Sequence, residues 1–176
     1  FPYTTLFRSQ RIGSAGTQML PESQLDRFMI KLSMGYPDPA SEIAILKDRQ
    51  GANPLNDVKQ VVDGKDIVMM QAETDNLHMD DAIIEYITML SFATRQNPLI
   101  ELGVSPRGSI AIAGMSKAKA YISGRTYVTP EDVQSIFKDV AGHRIILNPR
   151  AKISSVTIDE VINNIFRTVP VPRAMR

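Results

Sequence analysis

The sequence has no cysteine, only two histidines and almost no surplus of either charge, and each shortage removes a class of chemistry. Without cysteine there are no disulfides and no thiolate metal sites, a composition that a reducing compartment permits. His78 and His143 are far apart, and neither stands at ligand spacing from a histidine or carboxylate. No metal or catalytic role is therefore assigned to them. The formal net charge is +1, so the broad basic field of a nucleic-acid or anionic-membrane binder is missing. No apolar run approaches the ~18 residues of a membrane span, and no secretory leader is recognised, so the expected location is cytoplasmic. The phosphate-cradling pattern G-x-x-x-x-G-K followed by Ser or Thr is also missing. Gly64-Lys65 is followed by Asp66 and lacks the upstream glycine. Repeats, coiled-coil heptads and low-complexity tracts are absent as well.

What is present suits a folded chain. At 176 residues, 43% hydrophobic and 22% charged, it can bury a core, as one domain or a small domain with part of another. The opening FPYTTLFRS reads like the in-frame translation of a sequencing adapter. Phe1–Ser9 is therefore expected to pack on nothing and is set aside, with a native N-terminal part expected to be missing.

Beyond it, Gln10–Gln18 reads as a loop. A short helical turn is expected at Glu22–Asp26. Phe28, Ile30, Leu32 and Met34 then alternate with Met29, Lys31 and Ser33, a period of two that predicts a strand, with sheet partners expected upstream. Asp38 caps and Pro39 starts a helix that ends at Gly51, with Ile43 and Leu46 expected to face inward. Asp66–Ala72 is a short helix candidate. A long helix is predicted over Met79–Arg95, with Ile83, Ile84, Ile87, Leu90 and Ala93 apolar and Tyr86, Met89 and Phe92 widening the stripe. Gln96–Val104 reads as a loop.

The most informative stretch is ELGVSPRGSIAIAGMSKAKAYISGRTYVTPEDV, Glu101–Val133. Ser105 can cap a helix whose first position suits Pro106. Ile110, Ala111, Gly114, Ala118, Tyr121 and Ile122 are placed on its inner face, with Ser109, Ser116 and Ser123 elsewhere. Gly124 stops it. Thr129–Asp132 opens a further helix with Val133, Ile136, Phe137 and Val140 at i, i+3, i+4 and i+7. Thr157 and Glu160 form a capping box before Val161, Ile162, Ile165 and Phe166. Ile87, Leu90, Ile110, Ala118, Val133, Ile136 and Phe137 are the predicted interior of one bundle.

Two arginines stand at the edges of rigid elements. Arg107, in the first turn of its helix, meets an unfavourable dipole that a bound anion would reverse. Arg27 follows Asp26 at a turn. Each is also readable as a solvated surface residue, and the residues alone leave that choice open.

GTQMLPESQLDRF, GYPDPASEIAIL, the Glu101–Val133 stretch, GHRIILNP and VPVPR, in that order, closely resemble MoxR-type AAA+ ATPases from Gly13 onward. The resemblance implies a mainly α fold: a helical AAA+ lid bundle, residues 37–176, preceded at residues 10–36 by a one-strand remnant of an α/β P-loop core. It implies that LDRF carries an arginine finger acting in trans, Arg27, and that SPR carries the sensor 2 arginine, Arg107, which binds ATP phosphates. Walker A, Walker B and sensor 1 are absent, so Mg2+ and most of the nucleotide would be held by upstream residues. The family implies ATP hydrolysis in the full-length protein, a homo-oligomeric ring such as a hexamer, and a chaperone-like motor that matures or inserts cofactors into client enzymes. A von Willebrand A-domain protein is an implied partner. The alternatives are a magnesium-chelatase-like ATPase subunit and a non-enzymatic helical interaction module. The polypeptide of Phe1–Arg176 is expected neither to bind nor to hydrolyse ATP, and calorimetry that found micromolar affinity would overturn that expectation.

Overall fold

The computed structural model describes residues 21–51 and 53–172. Phe1–Ser9, the Gln10–Gln18 loop and Arg173 of VPVPR lie outside them. Helix starts follow local chemistry. α1 (Glu22–Leu25) is a single turn, and α2 (Pro39–Asp48) begins where the Asp38 carboxylate accepts the Ser41 amide at 2.8 Å. After a 3-10 turn at Pro54–Asp57, α3 (Gly64–Asp75) opens on a reciprocal box between Asp63 and Asp66. α4 (Asp81–Gln96) is capped by Asp80.

A short strand, β1 (Ile100–Leu102), leads into α5 (Pro106–Ile122), where Ser105 Oγ accepts the Gly108 amide at 3.1 Å. Gly124 then turns the chain with φ +71°, a left-handed conformation that glycine adopts without penalty. α6 (Pro130–Ala141) starts on a Thr129–Asp132 box, and β2 (Ile146–Leu147) pairs antiparallel with β1. α7 (Pro149–Ile153) and α8 (Ile158–Thr168) follow, α8 on the Thr157–Glu160 box. The fold is mainly helical, as expected, with one two-stranded sheet among the described residues.

The core lies between α4, α5, α6 and α8. Val133, Phe137 and Val140 of α6 are fully buried, beside Leu90 of α4 and Ile112 of α5. Val161, Ile162 and Ile165 of α8 close it, and Phe137 meets Phe166 edge to face with centroids 5.5 Å apart. The α6 and α8 stripes lie where their period places them.

Five expectations are corrected. First, Phe28–Met34 belongs to no strand and bends at Met29. Only Phe28 and Ile30 are half-buried, and Lys31 N–H donates to Asp139 O at 2.9 Å instead of to a sheet neighbour. Period-two spacing describes a strand only where a partner strand is available.

Second, α2 buries none of its residues, and Ile43 and Leu46 are 53% and 63% exposed. Third, α5 is turned from its predicted face. Gly108, Ala111, Ile112, Ser116 and Ala120 are buried, whereas Ile110 and Ile122 are 73% and 81% exposed and Ala118 is half-buried. α5 is apolar around most of its circumference, so its sequence has no unique stripe. The face with a glycine, two alanines and a serine is the one that permits close approach to its neighbours. Ser116 is accommodated there because its hydroxyl donates to Ile112 O at 2.8 Å.

Fourth, the α4 stripe is narrower than expected, with Ile84, Met89 and Phe92 about half exposed. Fifth, Gln96–Val104 contains β1, because Ile145–Leu147 supplies it with a partner. Gly103 then presses against the end of α4. A Cβ there would lie 2.8 Å from backbone atoms of Thr94 and Arg95, which cannot yield. Val104 follows, its amide donating to buried Thr94 Oγ1 at 2.9 Å and its carbonyl accepting from Arg95 Nε at 2.7 Å.

The revised α5 face has a direct consequence. Ala120→Leu should cost ~1–3 kcal/mol by overpacking, while Ile110→Ser should change stability by about 0.5 kcal/mol or less. Thermal unfolding of the two variants checks it, and the reverse order would restore the predicted face.

Candidate functional site

The elements bearing Arg27 and Arg107 meet. Asp26, at the end of α1, accepts from Ser105 Oγ at 3.0 and 3.1 Å. Ser105 is the cap of α5, so one hydroxyl holds the first turn of α5 and the residue before Arg27 together. Arg27 and Arg107 are each one or two residues from this contact, and both are exposed. Neither guanidinium has a hydrogen-bonded or ion-paired partner among the described residues. Two exposed cations held on rigid backbone suit a polyphosphate rather than a hydrophobic ligand.

A third arginine, unassigned by the sequence, lies beneath them. The Arg144 side chain, in the turn between α6 and β2, is 2% exposed. Its Nε donates to Asp26 Oδ1 at 3.0 Å and its Nη2 to Asp26 O at 3.1 Å. Nη1 donates to Met29 O at 3.3 Å, and the two terminal nitrogens also donate to Phe28 O and Val140 O. Burial lowers this guanidinium's pKa, which the hydrogen bond and charge of Asp26 oppose, and the positive charge of Arg107 lowers it further. Arg107 is thus close enough for its field to be felt at Arg144.

Gly108 provides the passage. A Cβ there would lie 2.6 Å from Val104 Cγ1, 3.1 Å from Arg144 Cδ and 3.4 Å from Arg144 Nε. The residue after Ser105-Pro106-Arg107 must be small for Arg144 to run under α5.

Residues 92–165 match the AAA lid domain family. The chain is 37% identical to YeaC of Bacillus subtilis, an uncharacterised protein, over 97% of its own length and 53% of that protein. It is 32% identical to the chaperone MoxR1 of Mycobacterium tuberculosis, over 98% of this chain and 48% of the other. A solved structure from Cytophaga hutchinsonii, assigned as an ATPase, superposes with a TM-score of 0.83 at 30% identity, covering 92% of this chain and 52% of that one. Together these matches support the C-terminal region of a MoxR-type AAA+ protein. It spans about half the length of the curated relatives it matches.

Other features of the chain lie apart from the arginine junction. Among the described residues no group of three His, Asp or Glu is placed to hold a metal ion, and no helix is long and apolar enough to cross a membrane. An open cleft of about 400 Å3, lined by Glu73, Tyr121 and Arg125 among others, includes neither Arg27 nor Arg107. Arg125 forms a two-pronged pair with buried Asp132, with Nη1 2.7 Å from Oδ2. Burial pushes the Asp132 carboxyl up, but Arg125 and the Thr129 amide and hydroxyl outweigh it and hold it below its ordinary value. His78 contributes backbone only, in a parallel bridge to Tyr127.

His143 belongs to the junction. Its Nε2 lies 3.1 Å from Phe28 O and 2.9 Å from Arg144 Nη1, while Nδ1 is buried without a partner. A neutral imidazole can satisfy only one of the two neighbours, by donating to Phe28 or accepting from Arg144. Burial first, then the Arg144 charge, lower its pKa from the ordinary 6.5, although the Phe28 carbonyl opposes this.

As pH falls below about 6.5 the unfolded chain takes up a proton before the folded one does, so stability present above that pH is lost on acidification. Denaturant midpoints should therefore drop between about pH 7 and pH 5. His143→Gln should flatten that drop, and an unchanged slope would mean that His143 is not its source.

Proposed function

We propose that this chain is the lid-side part of an ATP-hydrolysing MoxR-type ring, in which Arg107 contacts ATP phosphates as the sensor 2 residue and Arg27 is an arginine finger delivered to a neighbouring subunit. The observation that carries the reading is the Asp26–Ser105 contact, which joins two exposed arginines, unpaired among the described residues, in one hydrogen-bonded unit. On this reading residues 10–36 are the end of the α/β core and residues 37–176 the helical lid.

ATP supplies a scissile phosphoanhydride whose γ-phosphoryl charge must be neutralised during transfer. The residues present fit the phosphate end of that ligand. Arg107 stands at the first turn of a 17-residue helix, where its own amide has no intrahelical partner. None of the described residues is arranged for Mg2+, which belongs to the Walker motifs in this scheme. Arg27 supplies a planar fork of donors to phosphoryl oxygens, and Arg107 couples the attitude of α5 to whether phosphate is bound. The wider assignment is a cytoplasmic, chaperone-like hexamer that matures client enzymes or inserts their cofactors, alongside a von Willebrand A-domain partner. Its support is the MoxR1 relative, named a chaperone.

The full-length protein tests the central claim. Arg27→Ala rings should bind ATP nearly normally and lose ~10³-fold in hydrolysis. Mixed with subunits that keep Arg27 but carry a broken Walker B, they should recover activity, because each supplies what the other lacks. Co-assembled rings with no more ATPase than either parent would show that Arg27 does not act in trans.

A further inference from the structure

We infer that Arg144 is a positioning residue for Arg27, holding the finger's backbone on both sides and fixing it to the start of α5; the inference rests on the finger reading above. Asp26, Phe28 and Met29 lie beyond the last turn of α1, so their carbonyls need partners from outside the helix. The Arg144 guanidinium donates to all three, so the backbone before and after Arg27 is bonded to one planar group. Its Nε also holds the Asp26 carboxylate, whose oxygens in turn accept from Ser105. The path from Arg27 to Arg107 is then Arg27, Asp26, Ser105, Pro106, Arg107, with Arg144 bracing its midpoint.

Only a guanidinium can do this. Lysine presents its donors from a single nitrogen and cannot reach acceptors on three successive sides. Val140 O anchors the same group to the last turns of α6, so the brace belongs to the helical core and not to the Arg27 segment itself. Arg144 touches no nucleotide position that the arrangement implies. It acts through where Arg27 points.

The test uses full-length rings and a double-mutant cycle. Arg144→Lys should leave ring assembly intact and the KM for ATP within about threefold, while kcat falls ~10–100-fold, as for a misplaced catalytic group. Added to Arg27→Ala, it should cause no further loss, because a positioning residue has nothing left to position. A purely structural role would multiply the two losses and would overturn the inference. Should Arg144→Lys fail to assemble, Asp26→Asn carries the same test: lowered kcat alone and no added loss on Arg27→Ala. Wild-type kcat in Arg144→Lys beside an inactive Arg27→Ala ring would sink this inference and leave the finger intact. Unchanged kcat in Arg27→Ala would remove the finger reading and this inference with it.

Discussion

A charged group under α5 has to be satisfied, and much of the junction is arranged around that requirement. A guanidinium that is 2% exposed has given up its water, a loss tolerable only if charge and hydrogen bonds replace it. Arg144 finds its replacements in segments distant in sequence: Asp26, Phe28 and Met29 at the end of α1, and Val140 on α6. The same need explains why residue 108 is glycine, since a side chain there would meet Val104 and Arg144. It also adds to the pressure of burial that holds His143 towards neutrality, because a second cation beside Arg144 would be repelled.

The junction therefore differs in kind from the core. The core is held by non-directional burial: Phe137, Leu90, Ile112, Val133 and Val140 are at or near zero exposure. The Arg27 segment buries little, with Met29 57% and Leu32 67% exposed, and is tied down by oriented, charge-assisted bonds. Such bonds fix direction well, yet their net contribution is only ~1.5–3 kcal/mol each. A segment attached this way has a defined geometry and little cohesion. That suits a group that must be aimed.

What could be read in advance divides along the same line. The caps at Asp38, Ser105, Thr129 and Thr157 and the glycine stop at Gly124 were legible, because each is a contact within three or four residues. The α6 and α8 stripes were legible because charged residues on the far side leave one choice of face. The α5 face was not, because a helix apolar nearly all round has no preferred stripe until its neighbours select one. The strand at Phe28–Met34 was misread because alternation carries no information about a partner. Both candidate arginines were found from their placement beside turns and caps, together with the family resemblance. Their proximity was not, since Asp26 and Ser105 are 79 residues apart. Arg144 was overlooked although one signal was present: a lone cation between Val140-Ala141 and Ile145-Ile146 has nowhere apolar to go without a paired acid.

The contrast with α2 shows what the junction adds. α2 has a cap, a proline start and three large apolar side chains, yet none is buried among the described residues, so its helix rests on local terms alone. α1 has fewer residues and weaker local terms, a single turn of Glu22–Leu25. A turn that short cannot persist on propensity. It is ordered because Asp26 and the Phe28 carbonyl, just past it, are engaged by Arg144, His143 and Ser105, all from other elements. Order at Arg27 is thus imported from α5 and α6. Whatever displaces the start of α5 from Asp26 acts on the segment that holds Arg27, because the two are joined directly through the Ser105 hydroxyl.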